Sequence, residues 1–167
     1  MSGGIEKSTP PRGAAREILF FFLRFLAASV ALYLIYLAAG RFYTRLIALL
    51  ASPLMSAFGY ELVMEKANAI TEDISLNPVV FLSLVIAVGA IPRRAKLKAA
   101  AIGVAILTAA NSLTVFLAFA SFYRNSERLW AGSEFLSLTI NFFVPILLWL
   151  VLLPIRSAFP FFRDSGA

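Results

Sequence analysis

The sequence predicts an all-α integral membrane fold: a four-helix bundle, with an additional amphipathic helix lying in the interface between the first two spans. Three observations carry that expectation. Of 167 residues, 60% are hydrophobic and 14% charged, with a mean hydropathy of +0.85, against about 45–50% and about 25% in a soluble domain. Four separated segments reach or approach the roughly 20 apolar residues that a helix needs to cross a hydrocarbon core. Basic residues without acids collect in alternate connections, as they do in membrane proteins of fixed orientation.

Residues 1–16 are polar and contain Gly, Ser and Pro, and Thr9-Pro10-Pro11 delays any helix until the prolines are passed. They are expected to form a flexible cytoplasmic tail. The apolar run that follows is longer than a signal-peptide core of about 7–15 residues, and Gly40-Arg41 is a poor cleavage site. A membrane domain is expected over 17–153. Its first span is 17–39, with Arg24 close enough to the inner end for its stem to snorkel to the headgroups.

The connection 40–75 is long and its early part is apolar. Phe42, Leu46, Leu49, Leu50, Leu54 and Phe58 recur at three- and four-residue steps, the period of an interfacial helix or of a re-entrant one broken at Pro53. Gly59 should end it, and Tyr60 to Asp73 should form a small outer cap, with a strand pair as one option. The second span, 76–91, is short and carries Pro78 in its first turn, where proline is tolerated. The third span is 97–122 and the fourth 135–153. Pro145 should kink the fourth and free the carbonyl of Asn141. A second cytoplasmic tail, 154–167, completes the chain.

Orientation follows from Lys and Arg. The first tail carries Lys7, Arg12 and Arg16, the connection between spans two and three carries Arg93, Arg94, Lys96 and Lys98, and the last tail carries Arg156 and Arg163. These regions should face the cytoplasm, with both termini inside a bacterial inner membrane. The other connections mix signs and should face outward. The net charge of +6 therefore points to anionic lipid rather than to nucleic acid, and Arg93, Arg94, Lys96 and Lys98 are the expected headgroup contacts.

The chain has no Cys and no His. Zinc sites built on them, His-ligated haem, Cys–His nucleophilic catalysis and disulfides are all excluded. Polar side chains within a bilayer are the default functional candidates. Here they are Thr108, Asn111, Ser112 and Thr114 on the third span, and Ser137, Thr139 and Asn141 on the fourth. Asn111 and Asn141 are expected to bond each other or a partner helix. Thr108, Asn111, Ser112, Thr114 and Asn141 form the expected helix–helix or partner contact set. The acids Glu65, Glu72, Asp73 and Glu134 read as a solvated outer surface. Small residues on the third span, from Ala99 to Ala110 and including Gly103, favour close helix packing. No cofactor is expected. The alternative is a carotenoid, chlorophyll-type pigment or quinone held by Phe-rich faces without His ligation.

From about Leu19 to Leu152 the pattern resembles the exosortase and archaeosortase family of membrane transpeptidases. Ala90-Ile91-Pro92 followed by Arg93-Arg94 looks like that family's basic inner turn, and 98–119 like its next helix. Asn111-Ser112-Leu113-Thr114 falls where its Asn-x-x-Arg motif would stand. The resemblance implies a Cys nucleophile, an Arg and an outer His. Thr114 stands in place of the Arg, Ser75 lies near the Cys position, and the stretch 127–132 holds no His. A Ser75–Lys66 pair is the only substitute chemistry on offer. The expected function is thus a noncatalytic accessory or scaffolding subunit that binds another integral membrane protein. The alternative is a small subunit of an energy-converting complex contacting pigment, quinone or lipid.

Overall fold

A computed structural model describes residues 12–64, 76–89 and 91–154, with side chains from residue 15 onward. Five helices and no strands occur among them. They are α1 (Arg12–Ala57), α2 (Asn77–Ala87), α3 (Arg93–Arg124), α4 (Glu127–Phe142) and α5 (Val144–Leu152). α1 and α3 are each long and apolar enough to cross a membrane, and α4 with α5 make a third such element if the bent pair is one span. α2 has 11 residues, about 16 Å of helix. That is half a hydrocarbon thickness, so the expected second span is not a complete spanning helix.

α1 corrects the sequence reading. The expected span and the expected interfacial helix are one uninterrupted helix of 46 residues. Gly40 does not end it: it stays helical, with the Tyr36 ring lying 2.9 Å from where a Cβ would stand. Pro53 does not break it either. Pro53 is exposed, so only the bond to the Leu49 carbonyl is forfeited, while Ala51 and Met55 on the opposite side are buried against α3. The helix does end where expected. Gly59 takes φ +72°, Tyr60 N–H donates to the Met55 carbonyl (2.9 Å) and Gly59 N–H to the Ser56 carbonyl (3.1 Å). This is a Schellman termination, which needs a left-handed residue and favours glycine. No strand forms over the described part of the outer cap. Glu65, Lys66, Glu72, Asp73 and Ser75 lie outside the described residues.

α3 stops in the same way on Asn125, at φ 47°, with Asn125 and Ser126 N–H groups reaching Phe122 (3.3 Å) and Ser121 (3.0 Å) carbonyls. Ser126 then caps α4, its hydroxyl accepting from Leu129 N–H at 3.4 Å, and Glu127 suits the positive end of that helix. Two residues, the first a helix stop and the second a helix start, thereby reverse the chain. α4 and α5 meet at a 43° bend at Phe143. Pro145, in the first turn of α5, has no N–H to continue the ladder, as the sequence reading expected.

The buried apolar residues form two separate clusters. The first joins α2, α3, α4 and α5 through Phe81, Val85, Val88, Ile91, Ala99, Leu107, Ile140 and Leu153, with Phe21 of α1 packed against it. The second belongs to α1 and α3 alone: Ile47, Ala48, Ala51, Met55, Val115 and Phe119. At its outer end, Tyr60 and Tyr123 stack at 4.8 Å, and the Tyr123 hydroxyl bonds both N–H (3.1 Å) and carbonyl (2.9 Å) of Glu61. Arg124 Nε donates to the Tyr60 hydroxyl at 2.8 Å.

Gly103 is where α2 and α3 come closest. A Cβ on Gly103 would overlap the Phe81 ring, which is fully buried and has no room to retreat. Gly103→Ala is expected to lose roughly 1–3 kcal/mol by overpacking, more than the gain of about 1 kcal/mol in helix propensity. Thermal unfolding in detergent checks this. Phe81→Leu in the same chain should recover part of the loss.

Candidate functional site

Between the two apolar clusters lies a polar layer. Thr108, Asn111 and Ser112 sit at i, i+3 and i+4 on α3, hence on one face, and all three are buried. Leu107 belongs to one cluster and Val115 to the other, so this face carries the chain from the first core to the second. α1 and α2 meet it there.

Asn77, the first residue of α2, and Asn111 exchange two hydrogen bonds, Asn77 Nδ2 to Asn111 Oδ1 at 2.8 Å and Asn111 Nδ2 to Asn77 Oδ1 at 3.1 Å. The second N–H of Asn111 Nδ2 donates to the Tyr43 hydroxyl of α1 at 3.1 Å. Tyr43 Oη and Thr108 Oγ1 are 3.3 Å apart. The Thr108 hydroxyl already donates to the Val104 carbonyl at 2.7 Å, and a hydroxyl has one proton. Tyr43 is therefore the donor to Thr108. The chain of bonds runs in one direction, from Asn77 and Asn111 through Tyr43 and Thr108 to a backbone carbonyl. Ser112 adds a tie to α1, with its hydroxyl 3.2 Å from the Ile47 carbonyl and 2.9 Å from its own helix at Thr108.

The sequence-predicted residues separate into three outcomes. Thr108, Asn111 and Ser112 do meet a neighbouring helix. Thr114 is buried but turns back on its own helix, donating to the Ala110 carbonyl at 3.2 Å. Asn141 does not meet Asn111. Its Nδ2 lies 3.4 Å from Ser137 Oγ on its own helix, and the expected Asn111–Asn141 pair is replaced by Asn111–Asn77. The reason is depth: α2 starts at the level of Asn111, so Asn77 reaches it. Asn77 and Tyr43 were missed. Asn before Pro78 reads as a helix-entry residue, and Tyr43 falls inside an apolar run.

The basic turn is a second polar feature. Arg93, Arg94 and Lys98 are exposed. Lys96 instead caps α2, its Nζ donating to the Ile86 carbonyl at 3.3 Å. The Arg24 guanidinium of α1 lies over Gly89 in the same turn, where a Cβ would overlap it. Arg24 and the basic turn thus stand at one level. Arg93, Arg94 and Lys96 occupy the first turn of α3 with no acid, next to the positive end of the helix dipole, which disfavours cations locally.

The polar layer contains no ionised group. No cluster of His, Cys, Asp or Glu able to hold a metal occurs among the described residues. Compared with known proteins, the chain matches no family model, no curated protein and no solved structure.

Asn111→Leu would leave the Asn77 amide buried without its partner and is expected to cost about 1–3 kcal/mol. Asn77→Leu should cost a similar amount, and the double variant less than the sum of the two, because both unsatisfied amides are then gone. Denaturant unfolding in mixed micelles measures the cycle. Tyr43→Phe, which leaves Asn111 one donor short of an acceptor, should cost about 1 kcal/mol on the same scale.

Proposed function

We propose that this chain is a noncatalytic integral membrane protein that works by binding another integral membrane protein, as an accessory or scaffolding subunit. One observation carries the reading. The buried polar groups of α1, α2 and α3 bond to each other and end on backbone carbonyls, so the protons of this layer are spent on holding the helices in register. A general base, a nucleophile or an ion path needs a group that is not so committed. The outline of short helix, basic turn and long Asn-bearing helix is compatible with an exosortase-like core whose catalytic Cys, Arg and His are absent from this sequence.

The face offered to a partner is on α1. Only 6% of its most apolar window is buried. Ala28 faces inward, whereas Leu19, Leu23 and Leu26 are exposed. Those outward residues follow three- and four-residue steps, the spacing that lets a second helix lie along the first. In this reading the basic turn, the N-terminal tail and the C-terminal tail face the cytoplasm of a bacterial inner membrane. Anionic headgroups at Arg93, Arg94 and Lys98 relieve the charge accumulated at the start of α3.

The exposed aromatic residues Phe20, Phe22, Phe42, Phe135, Phe142 and Phe143 favour the second reading, a small subunit of an energy-converting complex packed against pigment, quinone or lipid. An absorbance spectrum and solvent extract of the purified native assembly separate the two readings. A stoichiometric chromophore or quinone selects the second.

A photo-crosslinking residue at Leu23 or Leu26 is expected to give one discrete adduct with a second membrane protein in intact cells, and the same residue at Ala28 none. Equal, diffuse adducts from all three positions would sink the partner reading. The absence of native cysteines makes orientation directly measurable. Ser126→Cys should react with an impermeant maleimide from outside the cell, and Arg94→Cys only after the membrane is opened.

A further inference from the structure

We propose that the groove between α1 and the start of α2 is a binding site for an anionic phospholipid, with its headgroup at Arg41 and Arg45 and an acyl chain running along α1 toward Ser29. Two adjoining cavities make up the groove. One, of about 610 Å³, is walled by Tyr33, Tyr36, Gly40, Arg41, Thr44 and Arg45, with Leu76 at its edge. The other, of about 360 Å³, continues below it between Ser29, Val30 and Leu34 of α1 and Val79 and Val80 of α2. Tyr33 and Leu76 line both, so the two are one path from a polar mouth to an apolar trough.

Charge selects the occupant. Arg41 and Arg45 stand at i and i+4 on one face of α1, an arrangement in which like charges repel. Both are exposed, and no ion pair among the described residues neutralises either one. The Thr44 hydroxyl between them is committed to the Arg41 carbonyl at 3.0 Å. Two guanidinium forks on one turn suit the oxygens of a single phosphodiester.

Dimensions select the chain. From Arg24, which lies over the basic turn, to Arg41 is 17 residues of helix, about 26 Å. This is close to the hydrocarbon thickness of about 30 Å, so the two arginine levels lie at opposite edges of the apolar slab. From Gly40 back to Ser29 is about 17 Å of helix, near the depth of one leaflet, about half of 30 Å. The stacked Tyr33 and Tyr36 rings, with centroids 6.4 Å apart, stand between headgroup level and trough, where amphipathic rings are favoured. The site is separate from the basic turn, which lies at the other edge.

The test is lipid retention by the full chain, reconstituted in vesicles of phosphatidylcholine and phosphatidylglycerol, extracted in mild detergent and read by native mass spectrometry. Phosphatidylglycerol is expected to stay bound when phosphatidylcholine has been stripped away. Arg41→Gln and Arg45→Gln should each weaken retention about fivefold, while Arg93→Gln with Arg94→Gln leaves it unchanged. Val80→Trp, which fills the trough without touching the arginines, should also lower retention, and a melting curve for each variant confirms that it is folded. Equal retention of phosphatidylcholine overturns the proposal, as does full retention by the doubly substituted Arg41→Gln, Arg45→Gln chain. Retention that Val80→Trp leaves intact but inorganic phosphate abolishes would mark a site for a free anion and overturn it as well.

Discussion

The fold depends on one layer of neutral hydrogen bonds set in an otherwise apolar protein. Lipid tails are as apolar as leucine, so helices in a bilayer gain little by hiding leucine from lipid. Leucine and phenylalanine faces alone would let α1, α2 and α3 slide or rotate at small cost. The Asn77–Asn111 pair, with Tyr43 and Thr108 behind it, removes that freedom. A shift of one helical residue would strand two carboxamides and a phenol among buried apolar side chains, and each orphaned group costs more than a well-made contact contributes. The individual bonds are worth only about 0.6–2 kcal/mol. Their role is to make one register better than its neighbours, and the two apolar clusters then pack in that register on either side.

Features that were legible in the sequence are those decided within a turn or two of the residue concerned. Gly59 ends a helix because only a residue tolerant of positive φ can make the Schellman turn. Pro145 bends one because it lacks a donor. The readings that failed needed a neighbour's position. Three- and four-residue periodicity cannot tell one long helix from two end to end, and a glycine at position 40 is compatible with either. The partner of Asn111 depends on how deep α2 begins. The boundary near residue 76 was well placed, since α2 begins at Asn77, but α2 ends at Ala87, four residues short of the expected 91. Thr114 looked equivalent to Thr108 and Ser112 in composition and differs only in the direction it faces.

Charge and packing divide the work along the long axis. At one edge, Lys96 and Arg24 are drawn onto the backbone of the turn after α2, which leaves Arg93, Arg94 and Lys98 outside. The cations at the start of α3 work against the dipole of their own helix, so that helix cannot be the reason for them. A negatively charged surface can be. At the other edge, Arg41 and Arg45 face a cavity instead of open surface, next to tyrosines and above an apolar trough. Similar residues therefore meet different surroundings: Arg93, Arg94 and Lys98 are exposed at the start of α3, whereas Arg41 and Arg45 border a cavity. That difference lies in the fold and is invisible to a count of basic residues.

α1 has one further consequence, which comes from its length. Its apolar stretch of 43 residues is about 65 Å long. Tilted by about 40°, the upper end of the usual range, it still rises about 50 Å along the bilayer normal, against a hydrocarbon thickness of about 30 Å. The helix cannot hide in any ordinary bilayer, and its end near Phe58 is carried past the surface together with the second apolar cluster. Beyond Arg41, the height at which the bilayer meets α1 then varies with the lipid. In a thicker membrane the interface climbs toward Phe58 and wraps Leu46, Leu49 and Leu50. In a thinner one it falls back toward Arg41 and leaves them wet. A single continuous helix thus makes the exposed apolar area of this protein a function of membrane thickness, so it is expected to accumulate where the bilayer is thickest.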